Sequence, residues 1–355
     1  MKATLILCNL VLLSITSLQA SYYDTVPAPV APTVDLVLLQ NKNVTNPFTL
    51  SNNVANLIAL NSNAVNEVTQ KQKAKYTYHP KQAIAATMHG TVITSTLLIL
   101  NKYWYADYAR QPLASFDDSK EWLQIDKLGH IYSTYLEARL SSEIWRWAGV
   151  GNRKSALLGA AAGMVYQLGF EVLDGLSAEY GFSWTDVAAN TLGASLYVGQ
   201  ELLWQQQRIQ PKISYSNQHY DPALLPRIRN LYGTGGAERF LKDYNGQTHW
   251  YSCNLYSFAP HTTLPRWLNV AVGIGATGLF GGFSNTWKDA NNNTITRHDI
   301  ARQRQFYLAP DIDFTKIKTK RKGIKIVLHF LNLIKLPTPG LLLTGGKLQL
   351  KALAY

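Results

Sequence analysis

The sequence predicts a mainly α protein: a compact helical bundle of about four helices with a smaller C-terminal β-containing region. Three observations predict this class. Four long apolar segments with few charges lie between residues 81 and 210. After residue 211 the helical pattern gives way to short alternating segments rich in Gly, Pro, Tyr and Asn. Charged residues make up only 16% of the chain, against about 25% in a typical soluble domain, which excludes a disordered chain.

Changes in composition divide the chain into four parts. The first has the features of a secretory signal, with Lys2 before an apolar stretch and Ala20 at a small-residue exit. The second is rich in Pro and Asn, and it predicts an extended leader that docks locally as a helix near residues 54–60. The predicted parts are a signal peptide (1–20), an extended leader or linker (21–80), a helical bundle domain (81–210), and a Gly- and Tyr-rich C-terminal region with a small β-sheet and a basic segment (211–355).

Four segments carry the helical pattern. Residues 83–100 contain no charge and lead to an aromatic edge, which is typical of a buried core helix or of one that touches a membrane. The third segment places Gly159 and Gly163 four apart, a spacing that lets two helices approach closely. The fourth begins at Ser183, whose hydroxyl can cap the helix with Asp186 three residues on. The predicted helices are 83–100, 122–147, 155–173 and 183–207.

Alternation of apolar and polar residues predicts strands at 268–274, 303–314 and 347–355. Between the last two, residues 323–334 predict a short basic amphipathic helix. The run Gly273-Ile-Gly-Ala-Thr-Gly278 matches a dinucleotide fingerprint by letter only, because no helix pattern follows it. We therefore expect a small sheet packed on the bundle.

A few ionisable residues stand at helical spacing in the sparsely charged helices. Asp126 and His130 share one face, as do Glu171 and Asp174 on the next helix. Buried charges are costly unless they pair, bind a metal or do chemistry, so we expect these groups to converge. A divalent metal site, a carboxylate–histidine pair for acid/base catalysis, and a structural polar network all fit the pattern. The candidate catalytic residues are Asp126, His130, Glu171, Asp174 and Asp186, with Lys127 and Asn190 supporting.

Other catalytic patterns are absent from the sequence. It contains no H-E-x-x-H zinc pattern, no G-x-S-x-G elbow and no Walker loop. Cys253 is the single cysteine left after the predicted cleavage, so it forms no internal disulfide, and its Trp- and Tyr-rich surroundings favour a structural role. No cofactor and no substrate are identified by these patterns.

Three motifs resemble a known family. They are Glu121-Trp-Leu-Gln-Ile-Asp-Lys-Leu-Gly-His130, Phe170-Glu-Val-Leu-Asp-Gly175 and Gly181-Phe-Ser-Trp-Thr-Asp-Val-Ala-Ala-Asn-Thr-Leu-Gly193. Together with motifs near residues 242–250 and 265–269, they resemble the predicted periplasmic lipoprotein (YfiM-like) family of unknown function, in particular its longer Bacteroidetes-type members. The resemblance spans about residues 85–355. A fainter one is to VanZ-like membrane proteins, which implies bilayer association. The sequence departs from the family in having no cysteine at the predicted mature N-terminus.

The net charge of +12 is concentrated at the C-terminus, where residues 314–355 contain nine Lys or Arg and no Asp or Glu. An exported protein is not expected to meet nucleic acid, so the expected partner is membrane lipid or an envelope protein. A solvated charged loop is the alternative for this segment. We expect an exported protein of the periplasm or the periplasmic face of the outer membrane, acting as a membrane-associated structural or binding component. An envelope hydrolase or transferase, acting on a lipid-linked or phosphorylated substrate, is the alternative.

Overall fold

The computed structural model describes residues 79–106 and 108–355, which form a group of long helices beside an antiparallel sheet. The predicted signal peptide, the leader and the helix predicted near residues 54–60 lie outside the described residues. Both main predictions for the remainder are confirmed in outline: a helical core exists, and β-structure follows it in the C-terminal half.

Four long helices form the first half of the described chain, and α2 is the central one because it packs against both α3 and α4. Pro80 occupies the first turn of α1, where its missing N–H costs nothing. Ser183 caps α4 as predicted, since its Oγ accepts a hydrogen bond from the Asp186 backbone N–H at 2.9 Å. The bounds are Pro80–Tyr103 (α1), Ile125–Trp147 (α2), Asn152–Gly175 (α3) and Trp184–Trp204 (α4).

Helix α2 begins three residues later than predicted, because a left-handed turn precedes it. Trp122, Leu123 and Gln124 have φ values of 48°, 53° and 62°, a conformation that costs free energy for residues with a Cβ. One contact from a distant part of the chain and one local contact hold the turn. The Trp122 N–H donates to the carbonyl of Gly282 at 2.8 Å, and the Gln124 amide donates to the carbonyl of Ser119 at 2.7 Å.

Glycines let the three central helices approach closely. A Cβ at Gly159 of α3 would overlap the side chain of Ser142 and the carbonyl of Ala138 on α2. A Cβ at Gly193 of α4 would overlap the carbonyl of Ile131, also on α2. The predicted close approach through Gly159 is therefore present, and it brings the polar side chains of α2, α3 and α4 within reach of one another.

The C-terminal half contains a six-stranded antiparallel sheet in the order β1-β2-β3-β6-β7-β8, plus a separate hairpin of β4 and β5. His249 of β2 lies against α2, where its ring approaches that of Tyr132. The sheet thus packs on the side of α2 that α3 and α4 leave open. The strands are Ile209–Tyr215 (β1), Gln247–Asn254 (β2), Leu268–Thr277 (β3), Thr286–Lys288 (β4), Thr294–Thr296 (β5), Gln303–Ile312 (β6), Thr338–Thr344 (β7) and Lys347–Ala354 (β8).

The structure differs from the predicted fold in two details. The described residues contain eight α-helices, of which four are short: Leu225–Tyr232 (α5), Gly236–Lys242 (α6), Leu255–Phe258 (α7) and Lys322–Leu331 (α8). Helix α8 corresponds to the short helix predicted at residues 323–334, whereas α5, α6 and α7 were not predicted. The sheet is also larger than predicted, because the sequence pattern does not predict β1, β2 and β7. The central residues of β1 are buried on both faces, including Lys212, which pairs with Asp311 at 2.7 Å. A strand with a buried polar face lacks the alternation by which strands are recognised.

Candidate functional site

The predicted polar residues converge where α2, α3 and α4 meet. Asp126 and His130 come from α2, Glu171 and Asp174 from the end of α3, and Asp186 from the first turn of α4. Most of these side chains are largely removed from solvent, while His130 keeps 25% of its side chain exposed. The cluster therefore reaches the surface at His130.

Lys127 lies at the centre of one half of the cluster. Its ammonium donates to Asp126 Oδ2 at 2.9 Å, lies 2.7 Å from Asp186 Oδ1, and also binds Asp118 Oδ2. Burial alone would lower the pKa of Lys127, but the carboxylates of Asp126 and Asp186 outweigh it and raise the pKa above its ordinary value. One charged lysine thus neutralises part of a group of three carboxylates.

His130 lies in the other half, between two carboxylates. Its Nδ1 is 3.1 Å from Asn190 Oδ1 and 3.8 Å from Glu171 Oε1, while its Nε2 is 3.5 Å from Asp186 Oδ1. Because an amide oxygen accepts hydrogen bonds and does not donate them, Nδ1 of His130 is the nitrogen that donates to Asn190 Oδ1. The Thr134 hydroxyl lies 2.9 Å from the same oxygen. Nε2, the other ring nitrogen, lies beside Asp186 Oδ1.

Burial sets the protonation of the carboxyl groups on α3. It raises the pKa of Glu171 to about 9, and repulsion by Asp186 and Asp174 adds to this effect. Burial also raises the pKa of Asp174 to about 7, although a hydrogen bond from the Tyr105 hydroxyl at 2.6 Å opposes the rise. Near neutral pH, Glu171 therefore holds a proton when no cation is beside it.

The carboxyl groups around Lys127 behave differently from one another. Burial would raise the pKa of Asp118, but hydrogen bonds from Lys127, Ser183 and Thr185 outweigh it and lower the pKa to about 2. Burial raises the pKa values of Asp126 and Asp186, and Lys127 only partly offsets that rise. Asp118 is thus the firmly ionised partner of Lys127.

The structure brings all the predicted site residues into this region, together with three partners that the sequence does not predict. Asp118 binds Lys127, Thr134 orients Asn190, and Tyr105 donates to Asp174. Thr134 stands four residues after His130 on the same helix face, a spacing that could have revealed it. Asp118 and Tyr105 lie outside the central helices and carry no comparable signal.

Two groups of side chains have the composition and spacing of a cation site. One is His130, Glu171 and Asp186, and the other is Asp118, Asp126 and Asp186; within each group, one ligand atom per residue lies within 4.8 Å of the others. Lys127 already places its ammonium in the second group. The first group combines imidazole nitrogen with carboxylate oxygen, which suits a first-row divalent metal or general acid/base chemistry.

The segment that carries this cluster also resembles a known family. Residues 114–200 match the family model of a predicted periplasmic lipoprotein (DUF2279). The match confirms the predicted family resemblance for this segment, and its description agrees with the predicted exported, periplasmic location. No curated protein and no solved structure matches the chain. Apart from Tyr105, all the cluster residues lie within the matched segment, and the resemblances to Bacteroidetes-type members and to VanZ-like proteins stay predictions.

Proposed function

We propose that the protein is a membrane-associated component of the cell envelope, held at the lipid surface by the uncovered apolar face of α1. Residues 80–102 have a mean hydropathy of 1.6 and are long and apolar enough to cross a membrane, yet among the described residues only 11% of the apolar stretch within this segment is buried. Ile84 and Leu98 are exposed, the latter to 62%. A helix of this composition needs an apolar environment, and lipid supplies one.

Helix α3 is also long and apolar enough to cross a membrane, with a mean hydropathy of 1.4. Its packing, however, gives it another role. Its glycine face lies against α2, and it contributes Glu171 to the polar cluster. Only its outer side chains, including Leu157 and Val165, are exposed. Since α1 lies beside α3 through Leu97 and Gly169, these side chains extend the apolar surface of α1.

The basic C-terminal segment supports the same proposal. Helix α8 exposes Ile324 and Val327 next to exposed cations at Lys320 and Arg321. Such an amphipathic basic helix suits an anionic lipid surface. Lys335 is not part of this surface, because it is buried and donates to the carbonyl of Leu336 and the hydroxyl of Thr338.

Flotation of the full chain with phosphatidylethanolamine–phosphatidylglycerol vesicles tests the proposal. We expect the protein to float with the vesicles and Leu98→Asp to reduce its binding. Because burying a leucine is worth about 1.5–3 kcal/mol, the expected loss is roughly tenfold or more in the binding constant.

Leu350→Asp is the matched control, since Leu350 is a more exposed leucine, at 80%, on the last strand of the sheet. It introduces the same chemical change far from α1 and is expected to float like the wild type. Release by Leu350→Asp but not by Leu98→Asp would place the lipid contact on the sheet and overturn the role of α1. Recovery of the wild type without vesicles would overturn the proposal as a whole.

A second candidate function is an envelope hydrolase or transferase acting on a lipid-linked or phosphorylated substrate. The observation that favours it is the position of His130, partly exposed and with Nε2 directed at Asp186. A neutral imidazole in that place can accept a proton from water or a substrate hydroxyl, while a carboxylate stabilises the resulting charge.

Release of phosphate from p-nitrophenyl phosphate and from a polyprenyl diphosphate tests this second candidate. We expect turnover by the wild type, loss of turnover in His130→Ala, and full turnover in His298→Ala, which changes an exposed histidine outside the cluster. Turnover that survives His130→Ala would show that the cluster does not catalyse the reaction, and no turnover of either phosphate ester would contradict a phosphate-releasing activity.

A further inference from the structure

We propose that His130, Glu171 and Asp186 bind one divalent first-row metal ion. The three side chains come from three different helices, so only the folded chain brings them together. Nε2 of His130 lies 3.5 Å from Asp186 Oδ1, and Nδ1 lies 3.8 Å from Glu171 Oε1. One ligand atom from each residue lies within 4.8 Å of the others, so a small approach of the side chains would bring them to the separation of about 3–4 Å found between ligands bonded to one ion at about 2.0–2.2 Å.

Glu171 provides an independent indication that the site takes a cation. Its side chain is only 1% exposed, and its Oε1 has no hydrogen-bond partner among the residues described. The other carboxylate oxygen accepts from the backbone N–H of Ser183 at 3.3 Å, which holds Oε1 facing His130. A buried carboxylate oxygen without a partner is costly, and a metal ion at this place would satisfy it.

Asn190 prepares His130 for metal binding. It is fully buried, and its Oδ1 lies 3.1 Å from Nδ1 while also accepting a hydrogen bond from Thr134. Histidine ligands in metal sites usually donate their second N–H to an oxygen in this way, which fixes the ring and leaves the other nitrogen free to bind. Asn190 is therefore a positioning residue, and Nε2, which lies beside Asp186 Oδ1, is the nitrogen assigned to the metal. Glu171 Oε1 lies nearest to Nδ1, so its side chain would turn towards Nε2 to bind the same ion.

The charges of the cluster favour a second cation besides Lys127. Five acidic side chains lie in it, and Lys127 supplies one positive charge to the group of Asp118, Asp126 and Asp186. Within the described part of the chain, Glu171 forms its ion pair with His130 and not with a lysine or arginine. One imidazole and two carboxylates without a thiolate suit Zn²⁺ or Mn²⁺.

Titration of the EDTA-treated full chain with ZnCl₂ and with MnCl₂, followed by calorimetry and thermal unfolding, tests the proposal. We expect one ion per chain and a rise in Tm with metal concentration. Glu171→Gln and His130→Ala are expected to abolish this binding. Asn190→Ala should weaken it by about 10–100-fold, because it removes only the positioning contact. His298→Ala is the matched control and should bind like the wild type.

A Co²⁺ spectrum of the wild type gives a readout that needs no variant. We expect visible d–d bands of a protein-bound ion that differ from those of aqueous Co²⁺ and that disappear when one equivalent of Zn²⁺ is added. Weak aqueous-type absorption, or binding that His298→Ala reduces as much as His130→Ala does, would overturn the metal site. Because none of these measurements uses a membrane or a substrate, their outcome is independent of the functions proposed above.

Discussion

Lys127 and Asp186 stand on different helices, α2 and α4, and their side chains meet with 2.7 Å between Nζ and Oδ1. The same ammonium contacts Asp118, which precedes α2, and Asp126, its neighbour in the chain. The Lys127 ammonium therefore links the start of α2 to the first turn of α4. It does so next to His130, which marks the accessible side of the cluster.

Lys127→Met is expected to destabilise the fold strongly, because it leaves neighbouring carboxylates in a buried place without their cation. The expected loss is about 3 kcal/mol in the free energy of unfolding, measured by urea denaturation and circular dichroism. Lys154→Met is the matched control, since Lys154 is an exposed lysine on α3, and it should change the stability little. Equal loss in both variants would show that Lys127 does not hold the cluster.

Gly193→Ala and Gly199→Ala are expected to act in opposite directions although both glycines lie on α4. A Cβ at Gly193 would overlap the Ile131 carbonyl, whereas nothing lies within 4 Å of the Cβ position at Gly199. We expect Gly193→Ala to cost about 1–3 kcal/mol through overpacking. Gly199→Ala should add about 0.5–1 kcal/mol through helix propensity. Thermal unfolding of both variants measures the two changes, and a stabilising Gly193→Ala would contradict the described approach of α2 and α4.

Ser183→Ala tests the start of α4. Its hydroxyl caps the helix through the Asp186 N–H and donates to Asp118 at 2.6 Å, so the variant loses two hydrogen bonds at once. We expect a loss of about 1–2 kcal/mol in the free energy of unfolding. Ser195→Ala, at an exposed position on the same helix, is the control and should be neutral or slightly stabilising. Similar stabilities for the two variants would argue against the cap.

His249 is expected to make the stability of the protein depend on pH. Burial against α2 lowers the pKa of His249 to about 4 from its ordinary value of 6.5. The unfolded chain therefore takes up a proton below pH 6.5, while the folded chain does not until about pH 4. The contribution of His249 is fully present above pH 6.5 and is lost as the pH falls towards 4, by about 3 kcal/mol in total.

Urea unfolding of the wild type and of His249→Phe at a series of pH values isolates this contribution. The variant keeps a ring beside Tyr132 but does not titrate, so its stability should fall less steeply than that of the wild type between pH 6.5 and pH 4. Parallel curves for the two proteins would assign the acid sensitivity to other groups.

The long helices could be predicted because their signals are local. An uncharged stretch predicts α1, Ser183 followed by Asp186 predicts the start of α4, and Gly159 with Gly163 predicts a close helix contact. Strand β3 could be predicted for the same reason, because its sequence alternates, although the large apolar side chains such as Val272 lie on its more exposed face and Asn269 and Ala271 on its buried face. These features depend on residues within one turn of helix or a few strand positions.

Strands β1, β2 and β7 and the partners of the cluster could not be predicted in this way. Strand β1 carries Lys212 on a buried face, because Asp311 of β6 neutralises it from about 100 residues away in the chain. The left-handed turn before α2 is held in part by Gly282, which is even more remote in the chain. The sequence does not predict Asp118 as part of the cluster, because only the fold brings it to Lys127.

By itself, the sequence determined the predicted export signal, the helical core and the residue types of the cluster, since composition and helical spacing are properties of short segments. The tertiary structure decided which of those residues meet. It joined Lys127 to three carboxylates and left His130 between Glu171, Asp186 and Asn190. Spacing along a helix fixes the face on which a side chain lies, but the packing of α2, α3 and α4 through Gly159 and Gly193 fixes what that face meets.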